Sequence, residues 1–129
     1  MQIKRTFSGA SWESTVGYCR ALKAGNHIYI SGTAPVAEDG NVFAPGDAYA
    51  QAKRCFEIVK QALRNLNADI SNVVRTRMYV TDISLWFEFG KAHQEFFAEN
   101  PPASTMLEVK SLIDSAMLIE VEVDAVCSN

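Results

Sequence analysis

Between residues 117 and 126 apolar and acidic positions alternate. Ile119, Val121, Val123 and Ala125 fall on one side and Glu120, Glu122 and Asp124 on the other, the period of two of a half-buried strand. Residues 73–80 alternate in the same way, with Val74, Thr76, Met78 and Val80 opposite Val73, Arg75, Arg77 and Tyr79. Further upstream, two runs rich in aromatic and β-branched residues meet at Ala24-Gly25-Asn26, which predicts a β-hairpin. Its second arm places Ile28 and Ile30 on one face and His27, Tyr29 and Ser31 on the other, and its first arm groups Tyr18, Arg20 and Leu22. The period changes to that of a helix from Ala48 to about Leu66. There Ala52, Cys55, Phe56, Val59, Ala62, Leu63 and Leu66 form one stripe behind an N-cap at Asp47,. A second helix, capped by Asp82 or Ser84, is predicted through Glu99 with Trp86, Phe89, Phe96 and Phe97 as its packed stripe,. Gly90 interrupts it at a cost of roughly 1 kcal/mol relative to alanine, and close packing of helix on sheet is its expected structural reason. Pro101 and Pro102 end the helix, and a strand opens at Ser104,.

The order strand, strand, helix, strand, helix, strand, strand predicts an α+β sheet with both helices on one face. The other face then carries Tyr18, Tyr79, Met106, arginines and acids, a mixture too apolar and too charged to sit comfortably in water. It reads as an interface in which Arg75 and Arg77 meet the acids of a neighbouring strand or subunit. Closed cyclic symmetry would bury that face on every subunit and leave ligand clefts between them.

Composition narrows the field. A chain of 129 residues makes one domain, residues 1–129. It has no run of about 18 apolar residues, the length of a spanning helix. The opening MQIKRTFSGASWES lacks the pattern of a secretory signal, so a cytoplasmic location is expected. A net charge of −3 gives no basic footprint for nucleic acid. Cys19, Cys55 and Cys127 are odd in number and widely spaced, which argues against a disulfide framework and a paired-cysteine zinc site. No metal or cofactor is expected.

The stretches GYCRA and IYISG, then DAYAQAKRCFEIV, VVRTRMYVTD, HQEFF, PPASTMLEV and IEVEVDAV follow one another in order along nearly the whole chain. In that order and spacing the chain resembles the RidA (YjgF) family of reactive-intermediate deaminases. The resemblance implies a chorismate-mutase-like α+β fold with a single mixed sheet of about six strands, assembling as a homotrimer around a central barrel with ligand sites between subunits. It also implies hydrolysis of an imine or enamine, with an arginine in the P-A-R-S stretch binding the substrate carboxylate and a glutamate on the last strand positioning water.

In this chain Ser104 stands where that arginine would be, followed by Thr105, with Met106 in place of a commonly seen cysteine. Gly90 occupies a place where the deaminase branch tends to have asparagine. Tyr18, Ser31 and Glu120 match positions that line the family's site. An arginine clasps a carboxylate with two charge-assisted hydrogen bonds, and a hydroxyl cannot replace them. Weak or no deaminase activity toward 2-aminoacrylate is therefore expected, with Arg20 the substitute cation to test. Glu120 is the candidate catalytic residue, and Tyr18, Arg20, Ser31, Gly90, Ser104, Thr105 and Met106 are the candidate substrate-binding residues. Neither serine has a histidine beside it in the pattern. His27 shares the face of Ser31 but lies four residues along an extended strand, roughly 13 Å away, and His93 reads as packing or surface. Two readings stay open: a hydrolase of imine/enamine type with altered specificity for a small polar metabolite, and a non-catalytic metabolite-binding or regulatory protein.

Overall fold

A computed structural model describes residues 1–128. The elements run β1 (Ile3–Thr6), α1 (Ser11–Val16), β2 (Ala21–Ala24), β3 (His27–Thr33), α2 (Ala48–Asn65), β4 (Val73–Val80), α3 (Trp86–Phe97), β5 (Ala103–Glu108) and β6 (Ile119–Val126). The strands make one mixed sheet in the order β1-β2-β3-β6-β4-β5. Neighbours are antiparallel except β4 and β5. Because β6 is antiparallel to both β3 and β4, those two run parallel with β6 between them. The chain thus makes a split β-α-β unit through α2 and a second through α3, whose strands β4 and β5 are adjacent,. The expected single mixed α+β sheet is present.

The inward side chains of β6 (Ile119, Val121, Val123, Ala125) and of β3 (Ile28, Ile30) join Ala52, Cys55, Phe56, Val59 and Leu63 of α2 and Phe89, Ala92 and Phe97 of α3 in one buried core. Both helices therefore cover the same face. Asp47 caps α2 as expected, its carboxylate accepting from the Ala50 N–H at 3.0 Å,. The β2–β3 hairpin closes through Gly25 and Asn26, with Ala24 paired to His27 and Gly25 at φ 60°, the positive φ that a two-residue hairpin turn demands. No helix among the described residues is long and apolar enough to cross a membrane.

Four expectations need correction. On β4 the register shifts between Val73 and Arg75. Val73 is consequently buried and Val74 exposed, since one extra residue in a bulge reverses the parity beyond it; Thr76, Met78 and Val80 keep their inward places. Trp86 is not in the packed stripe: it is 59% exposed at the first turn of α3, edge-on to the equally exposed Phe87. Gly90 does not serve close packing, because a Cβ there would meet nothing within 4 Å. Tyr18 and Arg20 precede β2, so they do not obey strand alternation. Two elements had no pattern to announce them. The strand β1 is exposed along most of its length, and α1 is a six-residue helix whose buried residue is Glu13.

Candidate functional site

The site begins with an irregularity. Between β3 and β6 the pairing goes from Ile30↔Val123 to Thr33↔Val121, so β3 carries one extra residue and Ser31-Gly32 bulges out. Bulges of this kind re-aim side chains beside active sites. Ser31 Oγ donates to the Cys19 carbonyl at 2.8 Å, which pins the bulge to the segment before β2. The missing side chain of Gly32 leaves room for Glu120: a Cβ at Gly32 would collide with Glu120 Oε2.

Arg20 locks this arrangement from behind. Its side chain is buried, with Nη1 donating to the Gly32 carbonyl at 2.9 Å and to Thr33 Oγ1 at 3.2 Å. Its Nε lies 3.3 Å from Oε2 of the buried Glu13, and the guanidinium carbon stands 5.5 Å from the Tyr18 ring centroid. Glu13 in turn accepts from the N–H and the hydroxyl of Ser8. Arg20 is therefore engaged inside the chain, holding loop, bulge and Tyr18 together, and its Nη1 is not free for a ligand carboxylate. Removing one partner of such a buried pair exposes the other charge to an uncompensated interior, a cost of about 3–5 kcal/mol.

Tyr18, Arg20, Gly32 and Glu120 share the wall of a cleft of about 690 Å³, to which Arg54 and Met117 also contribute. Burial pushes the Glu120 carboxyl above the ordinary glutamate range, Arg20 pulls it down, and Glu122 adds to the rise,. The arginines of β4 do not neutralise it. Arg77 lies 3.3 Å from Asp124 and 3.9 Å from Glu122, and Tyr79 donates to Glu122 at 2.7 Å. The expected meeting of Arg77 with acids of a neighbouring strand thus occurs within the sheet and leaves Glu120 out. A partly buried carboxylate with a raised pKa is better matched to general acid–base work than an ordinary glutamate.

The remaining candidates lie elsewhere. Ser104 is paired with Thr76, Thr105 with Arg77, and Met106 with Met78. Ser104 and Met106 therefore face the helices, and Met106 packs against the core instead of lying on the open face. Thr105 sits on the open face. Glu120, opposite Tyr79 in the register, points to that open face two strands away from Ser104. A single chain does not bring Ser104 and Glu120 together.

Ser104 also has the histidine connection that the sequence pattern hid. The hydroxyl of the fully buried Thr76 donates to Ser104 Oγ at 2.8 Å, and Thr76 Oγ1 lies 2.8 Å from His93 Nε2. A threonine on the inward side of a core strand was the available signal, since a buried hydroxyl requires a partner. Among the described residues no group of three potential metal ligands is present.

Residues 9–127 match the family model described as Endoribonuclease L-PSP. The chain belongs to that family, which is the YjgF/RidA family. A crystal structure of a Mycobacterium tuberculosis member of the YjgF/YER057c/UK114 family is similar over 97% of this chain and 99% of that one, with a TM-score of 0.88 and 36% identity. An uncharacterized Streptomyces coelicolor protein is 34% identical over 95% of this chain and 91% of its own. The 3-aminoacrylate deaminase RutC of Acinetobacter baylyi is 31% identical over 81% of this chain and 82% of its own. The family resemblance read from the seven sequence stretches is thereby established, and with it the fold.

Proposed function

We propose that this family member is a hydrolase of imine/enamine type, acting on a small polar metabolite in clefts between the subunits of a cytoplasmic homotrimer, with weak or no activity toward 2-aminoacrylate. Glu120 carries the reading: a half-buried carboxylate without an arginine partner on β4, held against a glycine that leaves it room, in a cleft with Tyr18. The separation of Ser104 and Glu120 on one chain supports a site completed by a second subunit, where one protomer's Ser104 meets its partner's cleft. Three free cysteines accord with a reducing compartment.

In the proposed reaction Glu120 takes a proton from water as the oxygen adds to the imine carbon. It returns that proton to nitrogen to complete the carbinolamine, then takes the proton of the carbinolamine hydroxyl and passes it to nitrogen as the C–N bond breaks, which leaves the carbonyl compound and ammonia. Proton transfer by a positioned carboxylate contributes about 10²–10⁴-fold. The deciding experiment measures ammonia release from 3-aminoacrylate and 2-aminoacrylate by the native protein and by Glu120→Gln. Release from 3-aminoacrylate that falls at least about 10²-fold in the variant supports the hydrolase; equal rates in both proteins reject Glu120.

One observation favours a second reading, a metabolite-binding protein without turnover: the position of the family's anchoring arginine is Ser104. Ligand binding with no ammonia release from either enamine would establish it. An RNA substrate fits poorly, because Glu120, Glu122 and Asp124 line the open face of a chain with net charge −3,.

A further inference from the structure

Two guanidinium groups line the cleft, and only one of them is fully engaged. Arg20 faces the buried Glu13 and donates to Gly32 and Thr33. Arg54, half-buried on α2, lines the same cleft as Glu120. Its Nε donates to the Val36 carbonyl at 2.7 Å. Among the described residues Arg54 forms no ion pair, and its Nη1 and Nη2 have no hydrogen-bond partner. The acids of the cleft do not neutralise it. Glu38 and Asp39 are exposed on a turn, where Asp39 accepts from Asn41, and Glu120 forms no ion pair.

We propose that Arg54 is a substrate-anchoring residue, whose free Nη1 and Nη2 hold the carboxylate of an acidic ligand while Glu120 works at the reacting carbon. The proposal rests on the functional reading above for the chemistry at Glu120, and it adds the charge of the molecule that enters the cleft. The tether to Val36 fixes the guanidinium by Nε alone. The two terminal nitrogens keep the forked N–H donors that match the two oxygens of a carboxylate. Ala34, Val36, Ile58 and Met117 give the cleft apolar wall, and an ionic contact beside apolar wall is stronger than one in open water. The helix α2 also sets Arg54 in register with Glu120. One turn before Arg54, the fully buried Gln51 donates to the Ala116 carbonyl at 2.9 Å and accepts from the Leu118 N–H at 2.8 Å, two residues ahead of Glu120. Anchor and carboxylate are thus fixed to one frame, the pre-organisation that substrate positioning requires. Because the two do not pair with each other, the space between them is left to the carbon skeleton of the ligand.

The test compares crotonate, an unreactive isostere of 3-aminoacrylate with methyl in place of the amino group, with crotonamide, its neutral counterpart. Binding of each to the full chain is measured by NMR chemical-shift titration in the native protein, Arg54→Gln and Arg54→Lys. The native protein should prefer crotonate. Arg54→Gln should weaken crotonate by about 10- to 100-fold, the worth of hydrogen bonds to a charged group, and leave crotonamide unchanged. Arg54→Lys keeps the charge without the Nε tether to Val36 and should retain a preference for crotonate. In turnover of 3-aminoacrylate, Arg54→Gln should raise KM by a similar factor with kcat little changed, the mark of a contact made equally before and during reaction. Equal weakening of both ligands in the two variants overturns the proposal, because Arg54 would then only tether the loop at Val36. A native protein without preference for crotonate overturns it too. Ammonia release whose KM is indifferent to Arg54→Gln overturns the anchor and leaves the hydrolase standing. Selective loss of crotonate in Arg54→Gln, in a protein that releases no ammonia, removes the hydrolase and keeps the anchor.

Discussion

Gly32→Ala separates the working of the cleft from the stability of the fold. Gly32 needs no left-handed backbone, so alanine is conformationally permitted, and the three atoms nearest its Cβ would all belong to the Glu120 side chain: it overlaps Oε2 and comes to 3.1 Å from Cδ and 3.6 Å from Cγ. The obstacle is thus the end of a flexible side chain, which can swing outward. Replacing glycine where the backbone allows it stabilises by about 0.4–1 kcal/mol through the unfolded chain. Moving Glu120 toward solvent also relieves the burial that raises its pKa,. The variant should therefore unfold within about 1 kcal/mol of the parent. A displacement near 1 Å of a catalytic group costs on the order of 10²-fold in rate, so turnover should fall by that much. Carboxyl ¹³C NMR should show the Glu120 pKa moving down toward the ordinary range. Urea unfolding, ammonia release and that titration form the assay. Full activity with an unmoved Glu120 pKa would refute the reasoning, as would a loss of stability above about 2 kcal/mol, which a mobile carboxylate cannot cause.

Other consequences are equally direct. Arg20→Met strands Glu13 in the interior and should cost about 3–5 kcal/mol in urea unfolding, an effect that Glu13→Gln in the same chain should partly restore. Glu120→Gln should stabilise the protein at neutral pH. A carboxyl with a raised folded pKa binds more protons in the folded state, so its presence lowers stability as pH climbs through the folded value; the difference between variant and parent should vanish below about pH 4.5, the ordinary value. Phe56→Ala removes a fully buried ring that touches His93, Phe96 and Phe97 and should cost about 3–5 kcal/mol. Cys55, buried with its thiol pKa pushed up mainly by desolvation, should resist iodoacetamide in the native protein and react once urea unfolds it, as read by mass spectrometry.

The fold was legible where burial is one-sided and the chain regular. On β6 each inward residue is apolar and each neighbour acidic, and on α2 the stripe recurs without a break. Val73 and Val74 show the limit: both are valine, and the bulge that decides which one is buried is a property of pairing with β6. The strand β1 left no trace because it is held by backbone pairing to β2 while its side chains stay wet. In the site, alternation alone placed Glu120 on the open face. The contact of Arg20 with Glu13 was not legible, since Glu13 belongs to a six-residue helix without periodicity. The link from Ser104 to His93 joins β5 to β4 and α3, and no spacing along the chain encodes that register. The inward Thr76 was the one visible hint.

The position of β6 between β3 and β4 bears on how the protein is made. Translation proceeds at about 5–20 residues per second, and until Ile119–Val126 leaves the ribosome the earlier strands form two separate ribbons, β1-β2-β3 and β4-β5, with their facing edges unpaired. Open edges are templates for pairing with other chains. A nascent polypeptide stalled before residue 119 should thus be a substrate for chaperones and prone to aggregate, and completion of this one segment should join both ribbons in a single late, cooperative step.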